Sequence, residues 1–305
     1  MTSPQHGDFG HVALIVVAAL LISLKGILAK FIYAEGVSVE ATLLLRAWMA
    51  QPLVWLWVLS RTSLGRVLAV NPWLIAGAML VGVACYYLGA WLDFVALQLI
   101  DASLERVLLF TYPMLVVIAR AVVYRRMPAP RVVVAVALTW VGVIFAVGGS
   151  NGALWRANQV GALLVLISAC GFAYYMMANE RYTRRASSAT FIGYSSVAAA
   201  AALTIHFSAV ASLPDLVIPT RAWVYIFLMT LFTNVLPLFL FSASIRKIGA
   251  ERAAIVSSVG PPATMIFAVY LLGESMAVSQ YFGSALIVVG IVILEVRQKA
   301  VAQAS

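Results

Sequence analysis

Charge is what this sequence has least of. Asp, Glu, Lys and Arg make up 10% of its 305 residues, whereas a soluble domain of ordinary composition carries about 25%. A chain so poor in charge cannot cover itself with solvated side chains, so much of its exterior must meet lipid. Cysteine is scarce too: Cys85 and Cys170 are alone, both deep in apolar runs. A disulfide framework needs more of them and an oxidising compartment, so both read as small hydrophobes. The three histidines, His6, His11 and His206, lie far apart without metal-ligand spacing. No Walker-type loop or HExxH occurs, and the spans offer no paired nucleophile and base, which speaks against ATP-driven pumping, a zinc site and intramembrane catalysis. An enzyme is therefore not expected, nor a metal or a cofactor. The period-2 alternation of β-barrel strands is also missing.

What the chain has in abundance is apolar sequence, 64% of its residues. A helix needs about 20 apolar residues to cross a bilayer. Ten runs qualify: 11–32, 38–59, 72–97, 102–124, 131–149, 159–180, 188–208, 221–244, 251–272 and 277–296. In lipid, backbone groups must be bonded within their own segment, so these runs are expected to be helices. No Lys or Arg precedes the run starting at Val12, so it reads as a retained first span and not as a signal peptide. The net charge of +9 is scattered through short loops, which marks topology and not a nucleic-acid partner. On the side that holds the N-terminus, 14 Lys and Arg collect, against 3 on the other. That bias puts both termini in the cytoplasm of a multi-pass protein of a bacterial-type inner membrane.

The chain repeats. A shift of 148 residues lays Pro113 on Pro261, Gly142 on Gly290, Ala102 on Ala250 and Ala137-Leu138 on Ala285-Leu286. Five spans is an odd number, so the second copy enters the membrane from the opposite side. The expectation is an all-α integral membrane protein, ten transmembrane helices in two inverted five-helix repeats, residues 1–150 and 151–305. Inverted repeats are a common design of secondary transporters, because two pseudo-symmetric halves can exchange inward-open and outward-open states.

The fourth and ninth runs read "DASLERVLLFTYPMLVVIARAVVYRRM" and "GAERAAIVSSVGPPATMIFAVYLLGES". With their small residues, mid-span proline and "LGE"-type turn, they resemble the EamA-type drug/metabolite transporter superfamily over nearly the whole chain. The resemblance implies a ten-helix inverted repeat that moves metabolites by alternating access, often as an exporter, through a cavity between the halves. It does not fix the substrate: amino acids, nucleotide sugars and quaternary amines are all carried on this fold. The first copy departs from the turn, with Arg125-Arg126 where the second has Gly273-Glu274.

Charges inside spans cost about 2.5–3.5 kcal/mol each on insertion scales and usually pair or face a cavity. Here they are Lys25, Arg46, Asp93, Glu105 and Arg106, all in the first half; the positions 148 residues on are Ala173, Tyr194, Phe241, Ala253 and Ala254. Helical rise places all five in the outer half of the membrane, with Lys25 and Arg46 at similar depth. Two readings stand: a charged vestibule that holds substrate, with Asp93 or Glu105 as a proton-coupling site, or a structural ion network. Glu105 and Arg106 are adjacent, about 100° apart on a helix, so they cannot face one partner. Tyr86, Ala90, Asp93 and Leu97 share one α-helical face, with Tyr87 and Trp91 beside them. Trp48, Tyr112, Tyr174, Tyr175 and Asn234 fall near mid-depth, away from the interfacial aromatic belts. Pro113 and Pro261, the latter after Gly260, interrupt helices at matching positions and are candidate hinges. The leading expectation is a secondary transporter of small amphipathic metabolites such as amino acids, with the lipid bilayer and a small solute as its partners. A passive channel, or a carrier of nucleotide sugars or cationic drugs, is the alternative.

Overall fold

A computed structural model of the protein describes residues 6–125, 130–183, 185–237 and 259–302, together with positions 239, 240, 244 and 256. Part of the expected run 251–272 and the repeat counterparts Phe241, Ala253 and Ala254 lie outside the described residues. In chain order the main helical elements are α1 (His6–Ser23), α2 (Lys25–Ala34), α3 (Val39–Arg61), α4 (Leu64–Leu68), α5 (Pro72–Gly82), the π-helical turn π1 (Val83–Gly89) and α6 (Ala90–Leu99). They continue with α7 (Ala102–Leu109), α8 (Tyr112–Tyr124), α9 (Pro130–Val147), α10 (Gly152–Thr183), α11 (Ser188–Val210), α12 (Thr220–Leu228), π2 (Met229–Val235), α13 (Gly260–Leu272) and α14 (Val278–Ala302). No strand occurs among the described residues.

Among the described residues, seven stretches are long and apolar enough to cross a membrane: Gly10–Ala34, Val39–Arg61, Pro72–Leu99, Ala102–Val123, Pro130–Val147, Gly152–Tyr182 and Ser188–Val210. They match the first seven expected runs. Gly260–Leu272 and Val278–Ile293 are shorter apolar helices, and parts of 221–244 and 251–272 lie outside the described residues.

Helix starts follow from local chemistry. The Ser38 side chain accepts from the Ala41 N–H at 3.1 Å, and Asn71 Oδ1 from the Trp73 N–H at 2.9 Å, each satisfying a donor at a helix start. Pro72 then occupies the first position of α5, where its missing N–H is no loss. Pro113 and Pro261 behave alike. They were expected inside continuous helices; instead each is the second residue of a helix that starts after a break, at Phe110–Thr111 and at Val259. The N–H that proline lacks has no partner in a first turn, so the prolines define where a new segment begins and do not bend an unbroken one.

Helices α8 and α13 each have 13 residues and begin 148 residues apart. Each ends in a left-handed residue, Arg125 at φ 47° and Gly273 at φ 67°. Glycine takes that conformation freely and arginine does not. The long helices α9 and α14 lie against each other at glycine contacts. A Cβ on Gly142 would come 2.7 Å from the Gly283 carbonyl oxygen and 2.8 Å from Ile287. One on Gly290 would come 2.8 Å from the Ala135 carbonyl oxygen and would also strike Thr139. A 148-residue shift turns the first pair of contacts into the second.

Candidate functional site

Four of the five in-span charges stand close to an interruption, whereas Arg46 lies within the continuous α3. Lys25 opens α2 immediately after the break at Leu24, and Asp93 lies in the first turn of α6, just past π1. Glu105 and Arg106 sit in the short α7. The three elements converge. Lys25 Nζ donates to Asp93 Oδ2 at 2.5 Å and to Glu105 Oε1 at 3.0 Å. Asp93 is 4% exposed and Glu105 0%. Gly26 allows the approach, because a Cβ there would come 3.0 Å from the Ala102 Cβ and 3.4 Å from Glu105 Oε2. The Phe94 ring carries a cation at two distances, Arg46 Cζ at 4.9 Å and Lys25 Nζ at 5.9 Å from its centroid. One ammonium shared by two carboxylates leaves three buried atoms without a hydrogen-bond partner: Asp93 Oδ1, Glu105 Oε2 and Arg106 Nε. Orphaned polar atoms of this kind mark a site that a ligand, a proton or water can complete.

Arg106 turns away from its neighbour Glu105, as adjacent helical positions must. Its Nη2 reaches Gly260, where a Cβ would lie only 3.0 Å from it. Ser23, the last residue of α1, donates to the Gly260 carbonyl at 2.9 Å, and Thr264 donates to the Ser23 carbonyl at 3.2 Å. The broken ends of α1 and α13 are thus tied beside the guanidinium. An aromatic row runs onward: Phe110–Tyr112 at 6.0 Å, Tyr112–Phe172 at 4.8 Å, Phe172–Tyr175 at 6.0 Å and Tyr175–Tyr86 at 5.0 Å between ring centroids.

Other sequence-derived candidates are placed elsewhere. Trp48 is 53% exposed. It donates to Thr204 at 2.9 Å and, with Gln51, Trp55, Val197 and Ala200, lines a peripheral cavity of about 190 Å³. Tyr174 is 48% exposed while Tyr175 is buried; one helical step decides which tyrosine joins the row. Asn234 is exposed in π2. Trp91 donates to Glu40 at 3.2 Å and packs edge-on against His206 at 5.2 Å. Tyr86, Ala90, Asp93 and Leu97 do not form the straight stripe expected of an α-helix. Tyr86 lies within π1, whose extra residue per turn rotates it relative to Asp93.

Sequence reasoning passed over Phe94, Phe172, Ser23, Thr264 and a role for Glu274. Glu274 follows the left-handed Gly273 and caps α7 from a distance. Its carboxylate accepts from the Ala102 N–H at 2.7 Å, the Ser103 N–H at 3.1 Å and the Ser103 hydroxyl at 2.5 Å. The "LGE" turn and the Ala102-Ser103 pair were the visible signals. Asp101 holds the N-cap position but makes no cap bond. Burial, and then the neighbouring Glu274, push its carboxyl above the ordinary value, while Lys30 pulls the other way.

With buried charges gathered where several spans are broken, the seven membrane-length stretches among the described residues mark a multi-pass membrane protein. The chain belongs to the EamA-like transporter family, whose model matches residues 159–296. It is similar to the "Uncharacterized transporter YcbK" of Bacillus subtilis (strain 168), with 30% identity over 276 residues, 88% of this chain and 87% of that protein. A crystal structure of a protein 15% identical superposes with a TM-score of 0.67, covering 96% of this chain and 99% of that one. That likeness shows the fold alone. The family places the chain among drug/metabolite transporters, with a small-molecule substrate and the lipid bilayer around it.

Proposed function

We propose that the protein is a secondary transporter of small amphipathic metabolites, amino acids and their derivatives foremost, which exports them by alternating access. It spans an inner membrane ten times as two inverted five-helix repeats, residues 1–150 and 151–305, with both termini cytoplasmic. Support for the repeat comes from the matched lengths and left-handed ends of α8 and α13, and from the two glycine contacts between α9 and α14. The family match at 159–296 falls within the second repeat. The excess of basic loop residues on one side supports the orientation.

The observation that carries the function is the Lys25–Asp93–Glu105 cluster, buried at the breaks in three spans. A structural ion network would be expected to close on itself; this one leaves two carboxylate oxygens and a guanidinium nitrogen unpaired. Broken helices within a membrane can expose backbone groups where transporters bind their cargo. In this reading Lys25, Arg46, Tyr86, Asp93, Glu105, Arg106 and Tyr112 line the substrate path, and Trp91 stands behind it on Glu40 and His206. Pro113, Gly260 and Pro261 mark the hinges. Glu105, its Oε2 unpartnered, is the coupling proton's site. Trp48, Tyr174 and Asn234 take no part.

Counterflow in proteoliposomes tests this. Vesicles loaded with unlabelled aromatic, aliphatic and basic amino acids, a quaternary amine or a nucleotide sugar are offered the labelled counterpart. Accumulation against the matching load is the expected result, strongest for an amino acid. Leak of solute without counterflow would replace the carrier by a passive channel.

A further inference from the structure

The cluster contains three cations, Lys25, Arg46 and Arg106, and two carboxylates, Asp93 and Glu105. Its balance is +1 with every group ionised and +2 with one carboxyl protonated, so the surplus is positive in either coupling state. Lys25 is spent on both carboxylates at 2.5 and 3.0 Å. Arg46 has the face of Phe94 at 4.9 Å, a partner that suits a desolvated guanidinium. Arg106 has neither. Among the described residues it forms no ion pair, and its Nε is buried without a hydrogen-bond partner. A half-buried guanidinium with an unpartnered Nε is costly, and the group that best satisfies it is a carboxylate, held by two parallel N–H donors.

Its surroundings fit an anion as well. The Arg106 Nη2 lies at Gly260, the first residue of α13, where the helix end adds partial positive charge. Pro261 and Pro262 have no N–H to offer, so the guanidinium and not the helix end supplies the donors. Ser23 Oγ lies close by, 3.6 Å from where a Gly260 Cβ would stand, and Tyr112 begins the aromatic row that leads away.

We infer that the transported solute carries a carboxylate, that Arg106 binds it, and that the solute's apolar body lies along Tyr112, Phe172 and Tyr175. The inference rests on the carrier reading for its setting and narrows its substrate class: carboxylic acids and amino acids are taken, and amines lacking a carboxylate are not. Arg106 is then a binding residue kept at the expense of stability, as functional sites often are.

The test uses three solutes with one ring and different charge, phenylacetate, phenylalanine and phenethylamine, in counterflow with the reconstituted full-length protein and with Arg106→Gln and Arg106→Lys. Thermal unfolding of the same proteins without solute is measured in parallel. Exchange of the two carboxylates but not of the amine is expected. Arg106→Gln should weaken it tenfold or more, as loss of a charge-assisted bond does. Arg106→Lys should restore it only in part, because an ammonium lacks the planar fork. Without solute, Arg106→Gln should melt no lower than the parent protein. The assignment is overturned, with the carrier reading intact, if the amine exchanges as well as the acids or if Arg106→Gln exchanges acids normally. It is equally overturned if Arg106→Gln unfolds at a clearly lower temperature, since the cation would then be holding the fold together. Carboxylate-selective leak without counterflow would remove the carrier reading and leave Arg106 as an anion site.

Discussion

Two regions of the membrane interior are built on opposite principles. Where α9 meets α14, the contacts are glycine against backbone, and each contact at Gly142 has a counterpart at Gly290. Where α2, α6 and α7 meet, the contacts are ion pairs, and the counterparts of Lys25, Arg46 and Asp93 in the second half are Ala173, Tyr194 and Phe241. Close packing can be duplicated at no loss, because dispersion and backbone contact ask only for small residues at the crossing. Charge in a membrane is expensive and is kept where it has a task. In the two-repeat architecture proposed above, the difference teaches that the scaffold is doubled and the chemistry is single.

Breaking the charged region should have the largest effect. Lys25→Met strands two buried carboxylates, and removal of one partner from such a cluster typically destabilises by about 3–5 kcal/mol. Detergent-solubilised protein should show a large fall in melting temperature together with loss of exchange; an unchanged melting temperature would mean that the carboxylates are not held by Lys25. The packed region should break next. In Gly283→Ala the new methyl meets the Gly142 carbonyl oxygen at 2.5 Å as well as the backbone of Ala146, an overpacking worth about 1–3 kcal/mol. Gly77→Ala is the control, because nothing lies within 4 Å of its added Cβ, and it should be neutral or stabilising.

Much of this contrast was legible in the sequence. The rarity of charge made Lys25, Asp93 and Glu105 stand out, and helical geometry foretold that Glu105 and Arg106 would diverge. Lys25 and Arg46 both approach the ring of Phe94. What sequence could not decide were rotations and long-range closures. Tyr174 and Tyr175 are equivalent on paper until α10 is turned about its axis. The π-helical turn at Val83–Gly89 shifts the phase between Tyr86 and Asp93, and no residue pattern announced it. Glu274 capping α7 from 171 residues away in sequence required the fold to be known first.

Smaller changes sharpen the comparison at the ends of the helices. Arg125 and Gly273 hold left-handed positions 148 residues apart, equivalent in the proposed repeat. Arg125→Gly should relieve the strain of a side chain there, offset in part by glycine's larger loss of freedom on folding, for a net gain of about 0.5 kcal/mol. Gly273→Arg should lose a similar amount, and paired melting curves would read both. The smallest effect belongs to Asp101. Its folded-state pKa is raised by burial and by Glu274, so above its unfolded value the folded protein holds its proton longer than the unfolded chain does. Stability attributable to this group is therefore present in acid and lost as pH rises through the shifted pKa. Asp101→Asn should match the parent protein in acid and melt slightly higher once the parent's carboxyl has ionised; a variant less stable at every pH would show that the carboxylate is needed as such.

The central claim, that a doubled scaffold carries a single working charge cluster, is tested most directly by counterflow rate against pH for Glu105→Gln and Glu274→Gln. Glu105 lies in the cluster with one oxygen unpaired, whereas every oxygen of Glu274 is engaged in capping α7. Glu105→Gln is expected to lower the rate or flatten its pH response, while Glu274→Gln keeps the parent pH profile and loses mainly thermal stability. Near-parent rates and profiles in both variants would contradict the account.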